Sequence, residues 1–431
     1  MSLSLPDQDS SSLSVLIIGI GAFTHGLAQT LQDAGAHVIV WLSRDYGHYG
    51  PSQVCQTFDE HDFANPLALV AKHPVDIMIP MSIDWAQSDW ALEFAAKTPV
   101  FCPTDDALKL ERDRAFAQQI GESVGIAFPR SCVAQNRLDA MAFLDKHPAP
   151  YVIKNTLCSP TSPIHTIVCE TLADTQSWLD RIDYAEGVFF QEYMGHKEAG
   201  HIVFVQNGNI TSLVSNQEYK RAFNGNMGKI AGAPLGGLIE ADPTDQYGLA
   251  ETLITPLQPW LEKVNYTGPL QVTAICRDGV WSVIEYNARL GVTCGPMIMR
   301  MLNNPLDMLK AVIDGSEFIP DFSTDKPIGC SITLAGYGYP FLSVTGPAFP
   351  LELPTQLCSD EGDIWLNEVE AGKKAEHPIL ASGHRLLDVN AFGVNKDDAV
   401  RRAYTLMSTI RCSNSYYRTD IGASMWPPGA A

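Results

Sequence analysis

The feature that most constrains the fold is an alternation of short apolar runs with helical segments at the start of the chain. Val15–Ile20 runs through Gly19-Ile20-Gly21 into a helical stretch, Leu27–Ala34. Further strands at His37–Leu42, Val75–Pro80 and Val100–Pro103 alternate with helical segments at Pro66–Lys72 and Trp85–Ala96. Strands joined by helices pair in parallel and are buried on both faces, so this segment predicts a doubly wound sheet that ends near Pro103. Residues 1–14 are polar, carry Asp7 and Asp9, and lack both a basic start and an apolar run, so they read as a frayed tail rather than a signal peptide.

From Thr104 the pattern turns helical (Asp105–Val124), then gives a strand at Ala149–Lys154, a β-branched return at His165–Cys169 and a helix near Leu172–Ile182, a small α+β lobe. Two hairpin signals follow. Asn207-Gly208 separates His201–Val205 from Ile210–Val214, and Asp278-Gly279 separates Leu270–Cys276 from Val280–Tyr286; both dipeptides suit the positive φ angles of tight turns. A helix over Pro296–Ile313 precedes a last segment with strands at Cys330–Leu334 and Gly383–Val389 and an amphipathic helix at Lys396–Ile410, whose predicted buried face is Val400, Ala403, Tyr404 and Met407. The expected division is a tail (1–14), an N-terminal α/β domain (15–103), a lid lobe (104–186), a central sheet domain (187–325) and a C-terminal α+β domain (326–431).

Charge and cysteine usage exclude several function classes. The 431 residues carry 29 Lys and Arg against 49 Asp and Glu, a formal charge of −20. Such a surface repels phosphate backbones, so nucleic acid is not an expected partner, and a polyphosphate ligand needs a locally basic cleft. The ten cysteines are scattered singly with no CxxC pair, which points to a reducing, cytoplasmic home. No apolar stretch reaches the roughly 18–20 residues of a membrane span, so no membrane partner is expected.

Gly19 and Gly21 hint at a dinucleotide turn, but Thr24 stands where the third glycine belongs, and Trp41 and Leu42 end the second strand where an acidic ribose ligand is needed. A tight strand-to-helix turn is the better reading, with an anion or substrate site at the helix start near His25 as another. More telling is Trp281–Gly291. Glu285 and Asn287 share one strand face, hard oxygen donors that suit Mg²⁺ when nucleotide phosphates complete its shell, and Arg289 adds a cation if the strand continues. Taken alone, that pattern is a solvated strand face. It is not alone: Lys154 closes an apolar strand as an inward cation suited to phosphate, and Val188–Met194 leaves a strand with Glu198 four residues on, apt for an adenine edge and ribose hydroxyls.

These residues, in this order, resemble the ATP-grasp superfamily, and within it the phosphoribosylamine–glycine ligase family. The likeness takes in Val15–Gly19 with His25, Ala149–Lys154, Glu192-Tyr193-Met194 through Glu198-Ala199, Lys220-Arg221, Tyr266-Thr267-Gly268, Ile284–Arg289, Arg401–Met407 and Arg418-Thr419-Asp420-Ile421-Gly422. The resemblance implies an ATP-grasp fold, α/β and α+β, with an N-terminal Rossmann-like domain. It implies an ADP-forming carboxylate–amine ligase of purine biosynthesis that uses ATP and Mg²⁺ (or Mn²⁺) and acts through an acyl phosphate. Carried over residue by residue, Arg289, Lys220 and Arg221 are catalytic. Arg114, Lys154, Glu192, Met194 and Glu198 hold the nucleotide, Glu285 and Asn287 the metal, and Gly21, His25, Arg44 and Asp84 the substrate. Partners are small molecules, an amino acid and an amine, and a homodimer is compatible.

Three departures from the family pattern carry expectations of their own. Its Gly-rich phosphate loop is replaced by Asn155–Pro163, whose Pro160 and Pro163 cannot donate, which predicts weakened ATP affinity. Its Gly-Asp-Pro-Glu is replaced by Gly291-Val292-Thr293-Cys294. Its amine-site loops are replaced by Ser43–Gly50 and Met81–Trp85, and the Lys220–Gly228 loop is shortened; Tyr46, Tyr49, Trp85, Asp45 and Asp84 favour a cationic or aromatic amine, while Arg44, His25 and His48 favour a sugar phosphate. Two alternatives therefore stand beside the family reaction: the same chemistry on another amine or amino acid, and a nucleotide-binding pseudoenzyme.

Overall fold

The structure is a computed structural model, and it describes residues 12–44, 47–158, 166–291, 294–341, 348–374 and 377–423. The expected frayed tail and the Ser159–Pro163 segment therefore fall almost entirely or wholly outside the described residues.

The N-terminal sheet is parallel throughout, in the order β3-β2-β1-β4, from β1 (Ser14–Gly19), β2 (His37–Leu42), β3 (Gln56–Phe58) and β4 (Ile77–Pro80). Its residues alternate between two cores: Leu16, Ile18, Ile39 and Met78 pack on one side, Val15, Ile17, Val38 and Ile79 on the other. Burial of both faces is what the near-continuous apolar strands demand. The expected strand at Val100–Pro103 is reduced to a parallel bridge between Met78 and Val100, because Pro99 and Pro103 bracket it and cannot donate to a ladder. Sequence reading missed β3, whose three residues are too short for a pattern.

The lid lobe is an antiparallel sheet, β5-β8-β6-β7, made from β5 (Ser131–Ala134), β6 (Tyr151–Asn155), β7 (Ile167–Val168) and β8 (Val188–Glu192). The helix expected over Asp105–Val124 is broken. Asp113 adopts an extended conformation (φ −113°) and its carboxylate caps a new helix, Arg114–Ser123, by accepting from the Phe116 N–H at 3.0 Å.

The largest sheet is antiparallel and ten-stranded. Its first part comprises β9 (Glu198–Gln206), β10 (Asn209–Glu218), β13 (Gly236–Ala241), β14 (Gly268–Arg277), β15 (Val280–Asn287) and β16 (Ile328–Gly336), with a small hairpin, β11 (Arg221–Phe223) and β12 (Met227–Ile230), set beside it. The order is β15-β14-β9-β10-β13-β16, continued by Arg385–Gly393, Gly362–Leu366 and Cys358–Ser359. Strands on either side of residue 325 thus share one sheet through β13 and β16. Both expected hairpins are tight turns with positive φ at each central residue: 50° and 84° at Asn207 and Gly208, 54° and 78° at Asp278 and Gly279. The helix expected over Pro296–Ile313 is two helices, Cys294–Met301 and Pro305–Asp314, since Pro305 starts a new helix where its missing N–H costs nothing. In the last helix, Lys396–Met407, the buried residues are Ala399, Ala403, Leu406 and Met407; Val400 and Tyr404 are only partly covered.

Candidate active site

Sheet register gathers the acidic groups. Glu285 on β15 lies opposite Thr273 on β14, Thr273 opposite Gly200 on β9, and Gly200 opposite Asn216 on β10. Residues opposite one another share a face, and so do residues two apart, which puts Glu285, Asn287, Glu198 and Glu218 on one side of the sheet. Gly200 is required in that row, because a Cβ there would lie 2.4 Å from Asn216 Oδ1.

Lys220, just beyond β10, sits among these carboxylates. Its ammonium is 3.0 Å from Glu285 Oε1, 2.9 Å from Glu198 Oε1 and 3.5 Å from Glu218 Oε2. Burial opposes its charge, but the carboxylates of Glu198, Glu285 and Glu218 hold the amine well above its ordinary range. In return Lys220 first, then Lys154 and Arg114, hold the Glu285 carboxyl far below the usual carboxylate range despite its burial. Burial raises Glu218, partly offset by Lys220.

Lys154, at the end of β6 in the lid, reaches across to the edge strand. Its ammonium donates to Gln191 Oε1 at 2.8 Å and to the Ile284 carbonyl at 3.3 Å. Both acceptors are neutral. Burial, reinforced by Arg114, lowers its pKa to about 7. A stripped cation held by neutral oxygens is poised for an anion, and a phosphate there restores its charge. Arg114 donates from Nε to the Asn155 carbonyl at 3.0 Å and places Nη1 3.9 Å from Glu285 Oε2. Beside these cations lies a cleft lined by apolar side chains (Phe128, Phe189, Ile284) together with polar and charged ones (Arg114, Gln191, Glu285).

Arg289 lies past the end of β15, in a bend, yet reaches back: Nη2 donates to Asn287 Oδ1 at 3.2 Å. It is braced by Glu111, a residue that sequence reading passed over. Glu111 is 6 % exposed, accepts from the Ala288 N–H at 2.6 Å and places Oε1 3.5 Å from Arg289 Nε. Burial raises the Glu111 carboxyl, against the pull of Arg289. Glu218 and Gln191 were also missed, although a Gln directly after the apolar run Val188–Phe190, in the same strand, was a usable signal.

Several expected site residues stand elsewhere. Arg221 turns away from Glu285 and pairs with Glu170 of the lid at 2.6 Å, donating also to the Gly228 carbonyl. The Glu192 carboxylate, expected to hold the nucleotide, is taken by Arg277 at 3.0 Å, with Arg130 at 3.9 Å. Glu198, expected to hold the nucleotide, pairs with Lys220 at 2.9 Å. His25, expected at the substrate site, is 3 % exposed, and its Nδ1 accepts from the Leu366 N–H at 2.8 Å; burial lowers it to about 4, so it stands as a neutral strut against the Leu366 backbone. Gly21 opens α1 (Gly21–Asp33) with φ +60°, and a Cβ there would meet Asn367 Oδ1 at 1.8 Å, so the turn packs on protein and not on a pyrophosphate. Arg44 is exposed at the end of β2, and Asp84 accepts from Ser82 Oγ at 2.7 Å. Trp85 is 6 % exposed within the core. Asp45, Tyr46, Val292 and Thr293 lie outside the described residues.

No family model matches the chain. It is similar to a phosphoribosylamine–glycine ligase of Chlorobaculum tepidum, 27 % identical over 428 residues that cover 95 % of this chain and 99 % of that one. The solved phosphoribosylamine–glycine ligase of Thermotoga maritima superposes with a TM-score of 0.75 at 21 % identity, covering 95 % of this chain and all of the other. The biotin carboxylase domain of Hydrogenobacter thermophilus 2-oxoglutarate carboxylase, solved with MgADP and bicarbonate, gives 0.66 at 11 % identity over 94 % and 91 % of the two chains. The fold is the ATP-grasp fold, and the sequence likeness to phosphoribosylamine–glycine ligases covers 95 % of the chain.

Proposed function

From an ATP-grasp fold and a full-length likeness to phosphoribosylamine–glycine ligases, we propose that this protein is an ADP-forming carboxylate–amine ligase that joins glycine to phosphoribosylamine. The observation that carries the reading is the convergence of Lys154, Arg114, Lys220 and Arg289 on the end of β15, at the Ile284 carbonyl, Glu285 and Asn287. Phosphoryl transfer to a carboxylate needs in-line placement and charge neutralisation rather than a covalent nucleophile, and this donor set fits that need.

Lys154, Arg114 and the Glu192–Met194 backbone would hold ATP, and Glu285 with Asn287 would hold Mg²⁺. When bound, they supply the γ-phosphoryl group and the divalent charge that accompanies it. Arg289, braced by Glu111, is placed to hold the substrate carboxylate and the acyl phosphate made from it. Lys220 keeps Glu285 ionised and adds positive charge beside it. Phe128, Phe189 and Ile284 limit water on the nucleotide side, which strengthens each of these attractions.

The sugar phosphate rests on the likeness to phosphoribosylamine–glycine ligases, since the pocket has lost groups of both kinds: His25, expected to favour it, is buried against Leu366. Trp85 lies in the core and Asp84 is bonded to Ser82, so two groups expected to favour a cationic or aromatic amine are otherwise engaged. The ten free cysteines agree with a cytoplasmic setting, and no helix among the described residues is long and apolar enough to cross a membrane. The test is a coupled ADP-release assay with glycine plus phosphoribosylamine against a panel of other amines. Turnover confined to phosphoribosylamine is expected; turnover with another amine only assigns the related chemistry, and none with any amine assigns a pseudoenzyme.

A further inference from the structure

We propose that Arg418 is a positioning residue for Lys220: it clamps the chain on both sides of that lysine and thereby sets where the ammonium meets Glu285. The proposal rests on the reading of Lys220 as part of the phosphoryl-transfer site.

Arg418 is 1 % exposed, among the largest fully buried side chains. Its guanidinium lies over the Tyr219 ring, 5.0 Å from the centroid, and its Nη1 donates to the Arg221 carbonyl at 2.9 Å. Tyr219 and Arg221 are the two neighbours of Lys220. Nη2 continues to Asn226 Oδ1 at 3.1 Å, in the turn between β11 and β12.

The residues after Arg418 extend the clamp. Asp420 accepts from Arg418 Nε and Nη2 at 2.8 and 2.7 Å, and from the Gly225 N–H at 2.9 Å. Asn224 and Thr419 exchange two bonds, from Asn224 Nδ2 to Thr419 Oγ1 and from the Thr419 N–H to Asn224 Oδ1. The Gly422 N–H donates to the Tyr219 hydroxyl at 2.9 Å. On the other side the Tyr404 hydroxyl donates to the Arg418 carbonyl at 3.1 Å and accepts from the Ile421 N–H at 2.9 Å, which anchors the segment to the last helix.

The contacts of Arg418 thus concentrate on the segment that carries Lys220. A lysine stem is flexible, and its ammonium is shared among three carboxylates, so the backbone at Lys220 decides which of them it neutralises best. A planar, buried fork that makes several directed bonds suits such a task, and an ammonium does not reproduce it.

The test compares Arg418→Met, Arg418→Lys and Asn224→Ala with the parent full-length protein. Amide hydrogen exchange over residues 219–228 is expected to speed up by about tenfold or more in the two Arg418 variants, while β14 and β15 keep their protection. ADP release under ligase conditions is expected to lose about tenfold in kcat with the KM for ATP within about twofold, as a misplaced rather than missing group would give. In a Lys220→Met background, Arg418→Met is expected to add less than about threefold, because residues that act through one another are not additive. Full additivity, or a kcat within about twofold of the parent, overturns the proposal. If Arg418→Met does not fold, the decision passes to Arg418→Lys and to Asn224→Ala, which cuts only the Asn224–Thr419 pair and is expected to speed exchange at residues 224–226. Unchanged exchange in both overturns the clamp. A parent without ligase turnover removes the proposed function and not the exchange result.

Discussion

The ammonium of Lys220 lies 3.0 Å from Glu285 Oε1, on the edge strand β15. The same ammonium is 2.9 Å from Glu198 on β9, two strands further in, so one lysine neutralises carboxylates that β14 keeps apart. Because Lys220 depresses its pKa, Glu285 stays ionised across the neutral and mildly acidic range, and its contribution to stability, present above the usual carboxylate pKa, is lost only as the pH falls well below it.

On the proposed function, Glu285→Gln should lower Mg²⁺-dependent ADP release by about 10²-fold or more, since it removes the charged donor of the proposed metal site. Lys220 keeps Glu198 and Glu218, so the fold should persist. The assay is run beside circular dichroism; turnover at the parent rate would take Glu285 out of the metal site.

ATP affinity should fall as the pH rises above about 7. Lys154 titrates at about 7 in the free protein, and phosphate favours its ammonium form, so binding above that pH takes up a proton. The slope should approach about one decade per pH unit, and Lys154→Arg should flatten it, because guanidinium stays charged throughout. Titration calorimetry in two buffers of different ionisation enthalpy reads the uptake directly. Identical heats in both would contradict it.

Glu111→Gln should leave stability within about 1 kcal/mol, because the amide oxygen can still accept from the Ala288 N–H. It should cost turnover by about tenfold, since Arg289 loses the charge that braces it. Glu111→Ala should also destabilise by about 1–3 kcal/mol, leaving the Ala288 N–H without its acceptor. Thermal melts beside steady-state rates separate the two effects; equal rates for parent and Gln variant would deny Glu111 a part in catalysis.

Glu170→Gln should loosen the lid. The Arg221–Glu170 pair is 2.6 Å long but Glu170 is 46 % exposed, so screening limits it to about 0–1 kcal/mol. Nucleotide release, followed by stopped flow, should quicken by up to about fivefold at low salt and converge on the parent rate at high salt. A salt-independent difference would mean that the pair is not the latch.

Much of the N-terminal sheet and both hairpins were legible because their signals are local: an apolar run of strand length, or a dipeptide that tolerates positive φ. The same holds for Glu285 and Asn287, whose spacing places them on one face wherever the strand lies. Arg221 and Glu192 were legible as charged residues beside the site, but not in their roles. Which carboxylate a guanidinium meets depends on segments far away in the chain: Arg221 meets Glu170 just past β7 of the lid, and Glu192 meets Arg277 at the end of β14. His25 likewise has its partner in the Leu366 backbone, and Trp85 its place in the core, through packing that no local pattern encodes.

By itself the sequence determined the class of each segment, the acidic balance that forces any polyphosphate into a basic cleft, and the identity of the groups that could fill it. Tertiary structure decided which of those groups converge. Glu198, Glu218, Lys220 and Glu285 become one cluster only through the register of β15, β14, β9 and β10, and Arg289 gains its brace from Glu111, far earlier in the chain, only where the fold brings the Lys109–Arg112 helix against the end of β15. The physical reason is range. Backbone propensity acts over a few residues, whereas charges and hydrogen bonds act on neighbours in space, and those neighbours exist only once the sheet has formed.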